Sequence, residues 1–159
     1  MPENSWKLAP GLHNVGSYQV SGKPYTSGSC LAPATGSALV VRFPAVTKWF
    51  QIEPQSGSLN DVHALRVAFS QNGLHGKGGY NFRIHASSSF LRPIDLKVSE
   101  LWFMSEDSRT VTFDIVAGLT GIPAGRTNTA NSASVNGHWS PDGVAEAGGP
   151  NWSGSIGVG

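Results

Sequence analysis

A chain of 159 residues fits one domain of ordinary size, long enough to bury a real core, and a two-domain enzyme is not expected at this length. Twenty Gly, twenty Ser and ten Pro occupy fifty positions, while charged residues make up only 13%; so much turn chemistry excludes a helix bundle or a coiled coil. The net charge of +1, spread singly with no Lys or Arg run, excludes nucleic acid as the expected partner, and no apolar stretch approaches the ~20 residues that cross a bilayer.

Residues 1–14 set Trp6, Leu8 and Leu12 among Pro and Gly and read as an N-terminal arm. The opening Met1-Pro2-Glu3-Asn4-Ser5-Trp6 lacks the basic and apolar regions of a secretory signal, and the single cysteine, Cys30, can form no internal disulfide. The expectation is a protein made and used on the cytosolic side of its producer, held together without covalent staples.

From Val15 onward the pattern becomes that of half-buried strands, short apolar/polar alternations punctuated by Gly, Ser, Pro and Asn. Tyr18 and Val20 suggest an early strand. Leu39, Val41 and Phe43 alternate with Val40 and Arg42 until Pro44 interrupts. The pattern resumes with Lys48, Phe50 and Ile52 on one side and Thr47, Trp49 and Gln51 on the other. Leu65, Val67 and Phe69 face Phe82 and Ile84 across a Gly-rich loop containing Asn72-Gly73 and Gly76 to Gly79, which predicts a hairpin.

Ile94, Leu96 and Val98 predict a further strand that continues through Leu101 and Phe103 after a bend near Ser99. The turn Glu106-Asp107-Ser108-Arg109 then leads into Val111, Phe113 and Ile115, predicting a second hairpin. Seven to nine such strands, with no clean helical period, predict an all-β fold: an antiparallel β-sandwich, jelly-roll-like, over residues 15–124. Its expected core is Leu39, Val41, Phe50, Ile52, Leu65, Val67, Phe69, Phe82, Ile84, Leu96, Val111, Phe113 and Ile115.

Residues 125–159 read differently, as a Gly/Ser/Asn-rich C-terminal extension. Eight Gly, three charged residues and scattered Trp139, Trp152 and Ile156 offer too little apolar surface to order the segment alone. The expectation is that a partner orders it, with these side chains as anchors.

The sequence contains no pattern that assembles a reaction centre. His13, His63, His75, His85 and His138 are too widely spaced for zinc ligation, and the closest acidic neighbour pair, Asp61 and His63, reads as a loop residue and a strand entry. Ser27-Gly28-Ser29-Cys30 and Ser153-Gly154-Ser155 resemble a nucleophile elbow only superficially and read as loops. Cys30 reads as a small half-buried hydrophobe. Glu100, Glu106 and Asp107 fit a charged turn more simply than a glycosidase pair, and Gly76-Lys77-Gly78-Gly79 lacks the strand-to-helix setting of a phosphate cradle. No catalytic residue, cofactor or metal is expected. Trp49 and Trp102, in contrast, fall out of phase with the apolar partners of their strands and are expected at a contact surface.

The run Leu12-His13-Asn14-Val15-Gly16-Ser17-Tyr18-Gln19-Val20-Ser21-Gly22-Lys23-Pro24-Tyr25 resembles the opening of small virion structural proteins of tailed bacteriophages, especially those of marine and cyanobacterial hosts, with its N-V-G-S-Y-Q-V-S-G-x-P pattern. Val40 to Lys48 is similar to that family's x-x-F-P-x-V-T-[KR], and Leu119 to Arg126 to its L-T-x-I-P-x-G-R. The resemblance spans about residues 12 to 126, and residues beyond Arg126 lie outside it. It implies a β-sandwich that decorates or cements a capsid or forms part of a fibre, and it carries no catalytic residue.

The functional expectation is therefore a non-enzymatic capsid decoration or cement protein, assembled in the host cytoplasm and located on the capsid surface of the virion. Its partners would be the major capsid protein or other virion proteins, and copies of itself as a homo-oligomer on the particle. Trp6, Leu8, Trp49, Trp102, Trp139, Trp152 and Ile156 are the expected interface residues. Extended arms suit this role, because modest contacts on a folded body and its arms multiply through effective concentration. The alternative is a carbohydrate- or receptor-binding module of a phage fibre, with Trp49 or Trp102 stacked on sugar rings; a hydrolase on a jelly-roll scaffold is the third reading.

Overall fold

A computed structural model of the chain describes residues 22–55, 64–75, 79–85 and 92–124. Among the described residues seven strands are formed: β1 (Lys23–Ala32), β2 (Leu39–Arg42), β3 (Ala45–Pro54), β4 (Ala64–Ala68), β5 (Asn81–His85), β6 (Glu100–Ser105) and β7 (Val111–Pro123). A helical turn, α1 (Gln71–Leu74), follows β4, started by Ser70, whose hydroxyl accepts the Gly73 N–H at 2.9 Å.

All pairings between strands are antiparallel, in two sheets ordered β1-β7-β3 and β2-β6-β4-β5. Residues 92–98 occupy the position beyond β3, where Phe50 and Ile94 exchange backbone hydrogen bonds of 2.8 and 3.0 Å. With that segment as the eighth position, the strand order is that of a jelly roll, in which sequence-adjacent elements, β4 and β5 excepted, lie in opposite sheets. The fold is the all-β antiparallel sandwich that the strand periodicity predicts.

The alternation within each strand explains which face is buried. In β7, Val111, Phe113 and Ile115 point between the sheets while Thr112, Asp114 and Val116 point out. Phe50 and Ile52 of β3, Val41 of β2, Leu65 and Val67 of β4 and Ile84 of β5 complete one continuous core, as the alternation anticipates. The Phe103 and Phe113 rings, one from each sheet, lie 4.3 Å apart between centroids and fasten the layers together. Leu39, Phe69 and Phe82 pack against this core only half-buried. Phe43, Leu101, Leu119 and Ile122 are buried core members beyond the expected set.

Three local expectations are corrected by the topology. The β4–β5 hairpin forms, with Leu65 opposite Ile84 and Val67 opposite Phe82, but β6 and β7 do not pair with each other. Each already has strands on both sides, β2 and β4 for β6, β1 and β3 for β7, so neither has an open edge for the other. The turn between them instead crosses from one sheet to the other, held by Thr35, whose N–H and hydroxyl both donate to the Asp107 carbonyl at 2.9 and 2.8 Å.

Second, residues 94–98 form no regular strand, and Leu96, expected in the core, is 40% exposed. Third, Thr47 is fully buried rather than on the outer side with Trp49. The same irregularity causes both. A register shift at Thr47/Trp49 interrupts the β3–β7 ladder, and the Thr47 hydroxyl joins the backbone hydrogen bonding, beside the Thr47 N–H that donates to the Val98 carbonyl at 2.9 Å. The hydroxyl accepts the Val98 N–H at 3.0 Å and donates to the Leu96 carbonyl at 2.7 Å. A side chain thus joins the backbone in anchoring the 92–98 segment, and alternation is lost there.

The expected early strand at Tyr18 and Val20, the N-terminal arm and the C-terminal extension lie outside the described residues.

Candidate interaction surfaces

The two outward faces of the sandwich carry the features that can meet a partner. On the β1-β7-β3 sheet, register places three rows across the face: Pro24, Gly118 and Trp49; Thr26, Val116 and Gln51; then the β1 bulge, Asp114 and Glu53. Trp49 is half-buried and points away from the inter-sheet core, as its phase predicts. Val116 is 40% exposed, and Leu31, opposite Thr112 at the next row, is 55% exposed.

Asp114 is built into this face by the bulge in β1. Ser29 takes a left-handed conformation, φ 55°, and its N–H donates to Asp114 Oδ1 at 2.7 Å, while Gln55 Nε2 donates to Oδ2 at 2.8 Å. The Ser29 N–H and then the Gln55 amide hold the carboxyl below the ordinary aspartate range, against a small opposing effect of burial. Ser27 to Cys30 is consequently a bulge within a strand, rather than the loop its composition suggests. Cys30 lies half-buried opposite Phe113, as expected of a small hydrophobe, with Ser27 Oγ 3.2 Å from its sulfur. The neighbouring Tyr25 phenol is pushed up, first by burial and then by the nearby thiol, with a Ser27 hydrogen bond acting the other way.

The β2-β6-β4-β5 face is laid out as a second set of rows. Arg42 stands opposite Glu100, Val40 opposite Trp102, and Met104, Arg66 and Arg83 follow across one line. Trp102 is half-buried; its indole N–H donates to Glu100 Oε1 at 3.0 Å, and Arg42 Nε meets Glu100 Oε2 at 3.3 Å. Helix α1 covers part of this face, where Leu74 packs on Ala68 and Met104 beside Trp102.

Glu106 receives Arg66 Nη2 at 2.8 Å and Arg83 Nη2 at 3.0 Å. Burial opposes its ionisation, but the Arg66 hydrogen bond and charge, followed by those of Arg83, outweigh it and hold the carboxyl below the ordinary glutamate range. Glu100 and Glu106 are each engaged by arginine, and His75 and His85 are exposed. Among the described residues no group of three or more His, Cys, Asp or Glu side chains is placed to hold a metal ion. The Asp61 and His63 pair, His13, His138 and the Ser153-Gly154-Ser155 run lie outside the described residues.

The expected interface residues are therefore divided. Trp49 and Trp102 both face outward, but on opposite sheets, so they form two surfaces and not one patch. Trp6, Leu8, Trp139, Trp152 and Ile156 lie outside the described residues. Leu31 and Val116 were not anticipated; the signal for Val116 is an apolar residue in the polar phase of β7. The Glu53–Asp114 juxtaposition leaves no such trace, because it depends on which strand lies beside β7. No protein-family model matches the chain, and no curated protein matches it.

Proposed function

We propose that this chain is a non-enzymatic virion structural protein that binds and stabilises a phage capsid as a decoration or cement protein. The observation that supports the reading most is the jelly-roll strand order, an architecture that recurs in viral shells and lectins. It agrees with the sandwich implied by the resemblance of residues 12 to 126 to small phage virion proteins. The presentation of Trp49 and Trp102 on two outer faces supports a body that meets neighbours on both sides.

A carbohydrate-binding fibre module shares the same architecture, so the decisive experiment offers both targets. The full chain is mixed with empty shells of a tailed phage and sedimented, and in parallel applied to a glycan panel. Saturable co-sedimentation with shells, and no glycan binding, is expected. Glycan binding lost in Trp49→Ala or Trp102→Ala, without shell binding, would overturn the capsid reading in favour of the alternative.

A further inference from the structure

We infer that copies of this chain associate head to tail, the outer face of the β1-β7-β3 sheet of one copy stacking on the outer face of the β2-β6-β4-β5 sheet of the next. Three observations lead there.

The described strand residues of the two faces carry opposite charge. On the first, Glu53 and Asp114 stand directly opposite each other across β3 and β7, and neither has an ion-pair partner among the described residues. Like charges so placed repel, and among the described residues the side-chain oxygens of Asp114 receive only the neutral Ser29 N–H and Gln55 amide. On the second, three arginines, Arg42, Arg66 and Arg83, stand against two glutamates, Glu100 and Glu106. Two of those guanidiniums reach solvent, Arg42 with 67% and Arg83 with 56% of the side chain exposed. A carboxylate pair without a cation among the described residues and a face with a surplus guanidinium are complementary, and the complementarity sets both orientation and partner.

Apolar contact accompanies the charge on both sides. Val116 and Leu31 flank the carboxylate row on one face, and Trp102 with Val40 lies between Arg42 and Arg83 on the other. The sheet edges, meanwhile, are poor sites for adding a strand. β1 carries Pro24 and a bulge, the 92–98 segment is irregular, and β2 and β5 have only four and five residues. Among the described residues the faces are thus better suited than the edges to dock a second copy. Because the two surfaces differ, the contact is heterologous and repeats from copy to copy, as a ring or an open stack.

Sedimentation equilibrium of the full chain tests this without any shell, so it stands or falls separately from the capsid reading; shell binding by a strictly monomeric chain would fail this inference alone. Association that strengthens with concentration is expected, weakened tenfold or more when salt rises from about 0.05 to about 0.5 M and shortens the screening length. Glu53→Arg and Arg83→Glu should each weaken association at least tenfold. An equimolar mixture should recover it, because the altered face of each variant fits the altered face of the other. Each variant's melting curve is compared with the parent, and Arg42→Glu replaces Arg83→Glu should the latter fail to fold. A chain that stays monomeric at low salt, single variants that associate like the parent, or a mixture that recovers nothing would each overturn the inference.

Discussion

Asp114 accepts the Ser29 N–H at 2.7 Å across 85 residues of sequence, and so fixes the one non-glycine residue among those described that adopts a positive φ. The same carboxylate holds Gln55 at 2.8 Å. One side chain of the central strand β7 therefore ties down the neighbours on both flanks: the bulge of β1 and the residue that follows β3. A non-glycine left-handed residue persists only where its surroundings over-determine it, and here the determinant is a charge-assisted hydrogen bond.

Asp114→Ala should lower the melting temperature and raise hydrogen exchange at the Ser29 amide, and Asp114→Asn, which keeps an acceptor, should do both less. Because the folded carboxyl titrates below its unfolded value, its stabilising contribution is present above the ordinary aspartate range, about 3.9. It is lost as pH falls through the folded value. Melting curves of parent and Asp114→Ala should accordingly converge in acid.

Glu106→Gln should cost on the order of 1 kcal/mol at neutral pH, the scale of a surface ion-pair network, since it discharges the partner shared by Arg66 and Arg83. The folded carboxyl is again the depressed one. The cost is therefore full above about 4.3 and vanishes as pH drops through the folded value. Urea midpoints of both proteins between neutral and acid pH measure the convergence, and added salt should shrink the difference at neutral pH.

Thr47→Val preserves shape but removes the hydroxyl that accepts the Val98 N–H and donates to the Leu96 carbonyl. A buried donor left unsatisfied costs about 1–3 kcal/mol. Thr47→Ser should restore most of that loss. Equilibrium unfolding in urea checks the magnitude, and limited proteolysis should show faster cleavage within residues 92–98 of the valine variant.

Phe113→Ala should cost about 3–5 kcal/mol, since the ring is fully buried and stacked near Phe103 between the sheets. Phe69→Ala should cost clearly less, because Phe69 is only half-buried against the core and leaves a site partly open to water. Urea unfolding of the two variants under identical conditions compares them directly; equal costs would contradict the placement of Phe69.

The features legible along the chain were local. Alternation at period two identified the runs at Leu39–Val41, Phe50–Ile52, Leu65–Val67, Phe82–Ile84 and Val111–Ile115, because each residue's face follows from its immediate neighbours along an extended chain. The outward direction of Trp49 and Trp102 was legible for the same reason. The non-local features emerged with the assembled sheets. β6 and β7 read as a hairpin because a turn joins them, yet they separate into different sheets because β2, β4, β1 and β3 already occupy their edges. Thr47 read as outward because alternation carries no mark of a bulge; it is buried because the pairing with β7 slips at that point and its hydroxyl reaches the 92–98 segment. The opposition of Glu53 to Asp114, and the division of the two tryptophans between faces, likewise follow from which strands hydrogen-bond to which. Strand period is encoded in adjacent residues, whereas strand partnership is a competition among all edges of the chain at once, settled only when the whole core is buried.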